Sequence, residues 1–206
     1  MRGLIFDCDG VLVDSRESNI NYYNHLRSLF HLPPMSSKEA DIVHMSTHAG
    51  ALELILPPPF RAQLGVVAKH IDYNRDVLPL LVPAPGLKGC LDELRQQGLL
   101  LGICTNRSES MLVLLEQFGL QGYFSEVMTA NIVRAKPAPD GLLRILEAWN
   151  CRPDEVVFVG DSSMAQDAAS AAGVRFWSFD TPQPAAERHI DSFAQLAALA
   201  PELSAL

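Results

Sequence analysis

The chain has 206 residues, 48% of them hydrophobic and 19% charged, with a formal net charge of −8. Such a chain can bury a core without metals or disulfides, and its composition excludes intrinsic disorder. Its 16 basic residues form no run, which argues against a nucleic-acid or anionic-membrane binder.

In chain order, Gly3–Phe6 is a short apolar run that predicts a strand. A long interval follows and predicts four helices, over Glu17–Phe30, Ser37–Met45, Ala49–Leu56 and Phe60–Leu78. Pro33-Pro34 and Pro57-Pro58-Pro59 break it into pieces. Val82-Pro83-Ala84-Pro85-Gly86 then marks a return to the core. Leu87–Gln97 predicts a helix and Leu99–Cys104 a strand. Ser108–Phe118 predicts a helix with Met111, Leu112, Leu115 and Phe118 on one face. Glu126–Thr129 is a weaker strand. Asp140–Trp149 predicts a helix carrying Leu142, Leu143 and Leu146 on its apolar face. Val156–Val159 and Val174–Trp177 predict two more strands.

Continuous apolar strands alternating with amphipathic helices predict an α/β fold, a doubly wound parallel sheet covered on both faces. The expected organisation is a core domain of residues 1–15 and 83–206, with a helical domain, 16–82, inserted after the first strand. Such an insertion would sit above the carboxyl ends of the strands, where open parallel sheets form their sites. Cys8, Cys90, Cys104 and Cys151 have neither metal-ligand nor redox spacing and are expected to be reduced. With no apolar stretch near ~18 residues and no signal-peptide pattern, a cytoplasmic location is expected.

Four short segments follow four of these strands. Asp7-Cys8-Asp9-Gly10 places two carboxylates at a strand end, on the same side if the chain stays extended. Two such acids repel unless a proton or a cation separates them, and a hard divalent ion, magnesium above all, suits their oxygens. Thr105-Asn106 offers a hydroxyl and backbone N–H donors of the kind a phosphate needs. Lys136-Pro137-Ala138-Pro139 holds a lysine on a constrained backbone, where it could neutralise phosphate oxygens or a carboxylate. Gly160-Asp161-Ser162 adds a third acid to the same rim. Each segment also has a plain structural reading: an acidic turn, a helix cap, a solvated lysine. Their order at successive strand ends is what a random globular chain would rarely produce.

Taken together these segments resemble the motifs of the haloacid dehalogenase superfamily of phosphohydrolases. Phe6 to Ser15 is similar to its first motif in the version that carries a helical cap. Cys104-Thr105-Asn106, Lys136-Pro137-Ala138-Pro139 and Val159-Gly160-Asp161-Ser162 are similar to the other three. The resemblance spans nearly the whole chain and is greatest to the phosphoglycolate phosphatase-like branch. It implies a magnesium-dependent phosphatase of a small phosphomonoester. Asp7 would be the nucleophile and Asp9 the acid and base. Thr105, Asn106 and Lys136 would bind the phosphoryl group. Asp7, Asp9 (through its backbone carbonyl) and Asp161 would hold the metal. Asp9 argues against the dehalogenase branch, which lacks this pair.

One departure stands out: Ala165 occupies the position, four residues after Asp161, where the family usually has a second acid. Asp167, Ser162 and Ser163 are candidates to compensate. His48, in the run His44 to Gly50, falls where relatives present a cap residue to the substrate, near an Arg of the sugar-phosphate mutases. Tyr22 and Tyr23 read as cap core. The expected partner is a small phosphorylated metabolite, bound by a monomer or a dimer. A sugar-phosphate mutase of the same fold and a non-catalytic metal- or phosphate-binding protein are the competing readings.

Overall fold

Six of the strands form one parallel sheet in the order β5-β4-β1-β6-β7-β8 in the computed structural model. They are β1 (Gly3–Phe6), β4 (Leu100–Cys104), β5 (Glu126–Met128), β6 (Val156–Gly160), β7 (Arg175–Phe179) and β8 (Arg188–Ile190). Two more, β2 (Val13–Asp14) and β3 (Val82–Pro83), make a separate two-stranded ladder. The structure describes residues 1–14, 16–44, 48–63, 73–108 and 110–205. They divide into two compact units, Met1–Asp14 with Pro83–Leu206, and Ser15–Val82.

Central strand β1 is flanked by β4 on one side and β6 on the other, in register Phe6 to Ile103 and Phe6 to Val159. The chain therefore winds outward from β1 in both directions. The carboxyl ends of β1, β4 and β6 meet at the switch point, where a parallel sheet opens a crevice. Continuous burial of β1 and β6 explains their unbroken apolar runs: both faces are covered, so alternation would expose nothing useful.

On one face lie α8 (Asp140–Trp149) and α9 (Ser163–Ala172), joined to Ile5, Cys104, Val156, Phe158 and Phe176 in a single buried cluster. Close approach is what the small residues provide. A Cβ on Gly102 would lie 2.9 Å from the Trp149 ring, and one on Gly160 would lie 2.6 Å from the Ala165 Cβ. On the other face, α6 (Leu87–Gln96) packs against α10 (Phe193–Ala205). The Phe193 ring there contacts Phe6 and Phe179, with centroids 6.2 and 4.9 Å apart. Neither β8 nor α10 was expected from the sequence; β8 has three residues and α10 contains Pro201.

Helix faces needed correction. In α7 (Ser110–Gln117) the buried residues are Met111, Leu114 and Leu115, while Leu112 is 66% exposed. In α8, Leu142, Ile145, Leu146 and Trp149 are buried and Leu143 is exposed. Leu112 and Leu143 each directly follow a core position, and the turn of about 100° per residue carries them past the edge of the buried stripe.

The second unit contains α1 (Arg16–Leu29), α2 (Ser37–His44), α3 (His48–Ile55), α4 (Pro58–Arg61) and α5 (Tyr73–Asp76). Tyr23, Leu26, Phe30, Val43, Ala51, Ile55 and Leu56 form its core, and the edge-to-face pair Tyr22–Tyr23 belongs to it. Arg27 ties the helices: its Nε donates to the Pro33 carbonyl at 2.7 Å and its Nη1 to that of Ile55 at 3.3 Å. The helix expected over Phe60–Leu78 is not continuous. Among the described residues α4 begins at Pro58 and gives way to a turn after Arg61, and α5 and a 3-10 turn at Leu78–Leu80 lie further along. Pro79 lacks the N–H that a continuing helix needs. Residues 64–72 lie outside the described residues.

Candidate active site

Phe6 ends β1, and Asp7 follows while its N–H still bonds to the Val159 carbonyl at 2.9 Å. That bond fixes Asp7 between β1 and β6. Its side chain is buried and forms a short ion pair with the Lys136 ammonium, which is also buried. The other carboxylate oxygen accepts the Cys8 N–H at 2.7 Å. Burial pushes the Asp7 carboxyl above its usual range, opposed by the Lys136 charge and hydrogen bond and assisted by nearby Asp9.

Lys136 is held from behind. The Asn106 side chain accepts the Lys136 N–H at 2.7 Å and donates to its carbonyl at 3.1 Å. Asn106 thus grips the lysine backbone through its side chain. Thr105 directly follows β4, buried, with its N–H on the Met128 carbonyl at 3.0 Å and its Oγ1 accepting the Arg107 N–H at 3.1 Å.

Beyond Asp7 the chain leaves the extended conformation, and the two acids take different partners. The Cys8 carbonyl accepts the N–H groups of Leu12 and Val13, which curls the loop. Cys8 itself is a fully buried turn residue. Asp9 turns to Arg107, with Nε to Oδ2 at 2.8 Å and Nη2 to Oδ1 at 2.5 Å. Arg107 was not singled out in the sequence, although a basic residue two positions after a candidate phosphate hydroxyl could have been.

Asp161 follows β6. Gly10 has φ +72°, and a Cβ built on it would lie 1.8 Å from Asp161 Oδ2. The carboxylate therefore rests directly on the backbone next to Asp9. Burial and the neighbouring Asp7 push its pKa up to about 7, against the pull of Lys136. Gln183, in the β7–β8 connection, donates to the Asp161 carbonyl at 2.7 Å; nothing in the sequence pointed to it.

Ala165 is completely buried against Gly160 in the core. Ser162 is the N-cap of α9, its hydroxyl accepting the Ala165 N–H at 3.3 Å. Asp167 is exposed on the solvent side of α9. His48 opens α3, but its side chain lies outside what is described, as do residues 45–47 of the same run.

Asp161 therefore lies against the Gly10 backbone, and the charge of Asp7 adds to burial in raising its pKa. Two largely buried carboxylates, one displaced toward protonation by the other, have the hard oxygen donors that suit a divalent cation.

A family model described as haloacid dehalogenase-like hydrolase matches residues 4–179. The chain belongs to this family of hydrolases. Phosphoglycolate phosphatase of Agrobacterium fabrum is 30% identical, over 93% of this chain and 89% of that protein. That of Chromobacterium violaceum is 29% identical, over 95% of both. A crystal structure of a HAD-superfamily hydrolase, subfamily IA, variant 1, from Geobacter sulfurreducens is 35% identical. It superimposes with a TM-score of 0.84, covering 97% of this chain and 96% of that one. No helix among the described residues is long and apolar enough to cross a membrane.

Proposed function

We propose that the protein is a magnesium-dependent phosphatase of a small phosphomonoester, phosphoglycolate-like or sugar-phosphate-like, working through an aspartyl-phosphate. The observation that carries this reading is the buried Asp7–Lys136 pair at the switch point, with Asp161 against it. A carboxylate buried beside an ammonium and a second acid is a costly arrangement that serves nucleophilic attack on a dianion better than it serves stability.

In the first step an Asp7 oxygen forms a bond to phosphorus as the ester P–O bond breaks, and protonated Asp9 gives its proton to the leaving oxygen. In the second, Asp9 takes a proton from water, which attacks phosphorus, and the Asp7–phosphorus bond breaks to release phosphate. Lys136 offsets the charge shared by Asp7 and the transferring group. Asn106 keeps Lys136 aimed, and the Thr105 hydroxyl is available to a phosphoryl oxygen. Asp7, the Asp9 carbonyl and Asp161 would hold the magnesium ion, which when bound neutralises charge on the phosphoryl oxygens. Residues 16–82 are the cap of this reading, with His48 the candidate substrate contact, and they would select the leaving group.

The test is phosphate release from a panel of metabolite phosphoesters, with and without magnesium. Metal-dependent release that falls by about 10³-fold or more in Asp7→Asn is the expected result. Release that Asp7→Asn leaves unaltered would sink the reading.

A further inference from the structure

β6 and β7 stay paired as far as Gly160 and Ser178, and Asp161 lies one residue past that last pair. Its carbonyl has no main-chain donor among the described residues. The side-chain amide of Gln183 takes the place of one, at 2.7 Å. The Asp161 carboxylate is hydrogen-bonded by its own N–H and by no other described residue. Its direction therefore follows from the main chain that carries it. Carbonyl and side chain share one Cα, so a carbonyl left free to turn lets the carboxylate swing.

Gln183 is itself held. Asp180 turns the chain with a φ of +56° and donates its N–H to the Ile190 carbonyl, and the Glu187 N–H bonds to the Phe176 carbonyl, both at 2.9 Å. These bonds close the base of the β7–β8 connection. Two residues after Gln183, the Ala185 N–H donates to Gln166 Oε1 on α9 at 2.9 Å. The connection thus grips the chain on both sides of the turn at Ser162, at Asp161 through Gln183 and on α9 through Gln166. A neutral amide does this without putting a positive charge where a lysine would oppose a cation. The first turn of α9 carries no acid, so Asp161 has none beside it to make up for a poor position.

Resting on the phosphatase reading and its magnesium ion, we propose that Gln183 is a positioning residue that holds Asp161 where it binds the metal. It acts through the Asp161 main chain and not on the substrate. Loss of an outer partner of this kind lowers metal affinity by about 10–100-fold.

The experiment measures magnesium binding to the metal-free chain by calorimetry at pH 8, beside the melting temperature without metal. Gln183→Met keeps the length of the side chain and removes the donor, and its Kd for magnesium should rise by about tenfold or more. Gln166→Ala cuts the other hold on the connection but leaves the Asp161 carbonyl its partner, and its Kd should rise by less than about threefold. The Kd is the readout because a merely structural role would lower the metal-free melting temperature of Gln183→Met and leave the affinity of the folded chain alone. A rise of less than about threefold in Gln183→Met, or an equal rise in Gln166→Ala, would overturn this inference while the phosphatase reading stands. A wild-type chain that binds no magnesium would overturn both.

Discussion

At Gly10 the φ of +72° and the Asp161 carboxylate impose the same requirement from two directions. A side chain there is strained by the backbone and would stand 1.8 Å from a carboxylate oxygen. Gly10→Ala should lower stability by about 1–2 kcal/mol and displace Asp161. A chemical melt would report the first effect. Weaker magnesium binding by calorimetry, with far-UV circular dichroism retained, would report the second; unaltered affinity would show that Asp161 does not need its place on the Gly10 backbone. Ala165 illustrates the opposite case: the sequence raised a missing acid, and the structure shows a residue sealed in the core. Asp167, the nearest replacement in sequence, sits on the wrong side of the helix for the reason helical rotation anticipates.

At the level of elements, the site is the meeting of three strand ends. Each contributes its residue because the parallel register brings the ends level. The spacing between β6 and α9 matters as much as the residues themselves. Gly160 lets α9 approach so closely that an added Cβ would meet Ala165 at 2.6 Å and the Phe176 ring at 3.1 Å. Gly160→Ala should therefore cost about 1–3 kcal/mol through overpacking. It should also disturb Asp161, the next residue. A loss under about 0.5 kcal/mol by denaturant titration would mean that α9 shifts freely. The strands β1, β4 and β6 were legible as apolar runs because both their faces are buried. The inward faces of α7 and α8 were read less well, since adjacent leucines give a pattern that fits two rotations. Helix α10 and strand β8 escaped because one holds a proline and the other is three residues long.

Across the whole molecule, the buried acids make stability depend on pH. In the folded chain Asp161 titrates near 7, above its ordinary value of 3.8, and Asp7 is raised as well. The folded state thus holds more protons than the unfolded one between about pH 4 and 7. The stabilisation is complete below the unfolded value and is lost as pH rises through the folded one. Metal-free protein should be less stable at pH 8 than at pH 5, by on the order of a few kcal/mol, and so melt at a lower temperature. Asp161→Asn should flatten that slope, and magnesium should raise the melting temperature most at pH 8, where no proton competes with it. A slope that Asp161→Asn leaves intact would assign it to other groups.

The sequence by itself determined the parallel α/β core and the placing of Asp7, Thr105 and Asp161 directly after β1, β4 and β6, because those features follow from local hydrophobic runs and the residues that terminate them. The partners came only from the tertiary structure: Arg107 on Asp9, 98 residues away, and Gln183 on Asp161, 22 away. Which polar atoms meet is decided by strand register, loop curl and the closeness of helices. Each of these depends on packing between distant segments, and no local pattern in the chain encodes it.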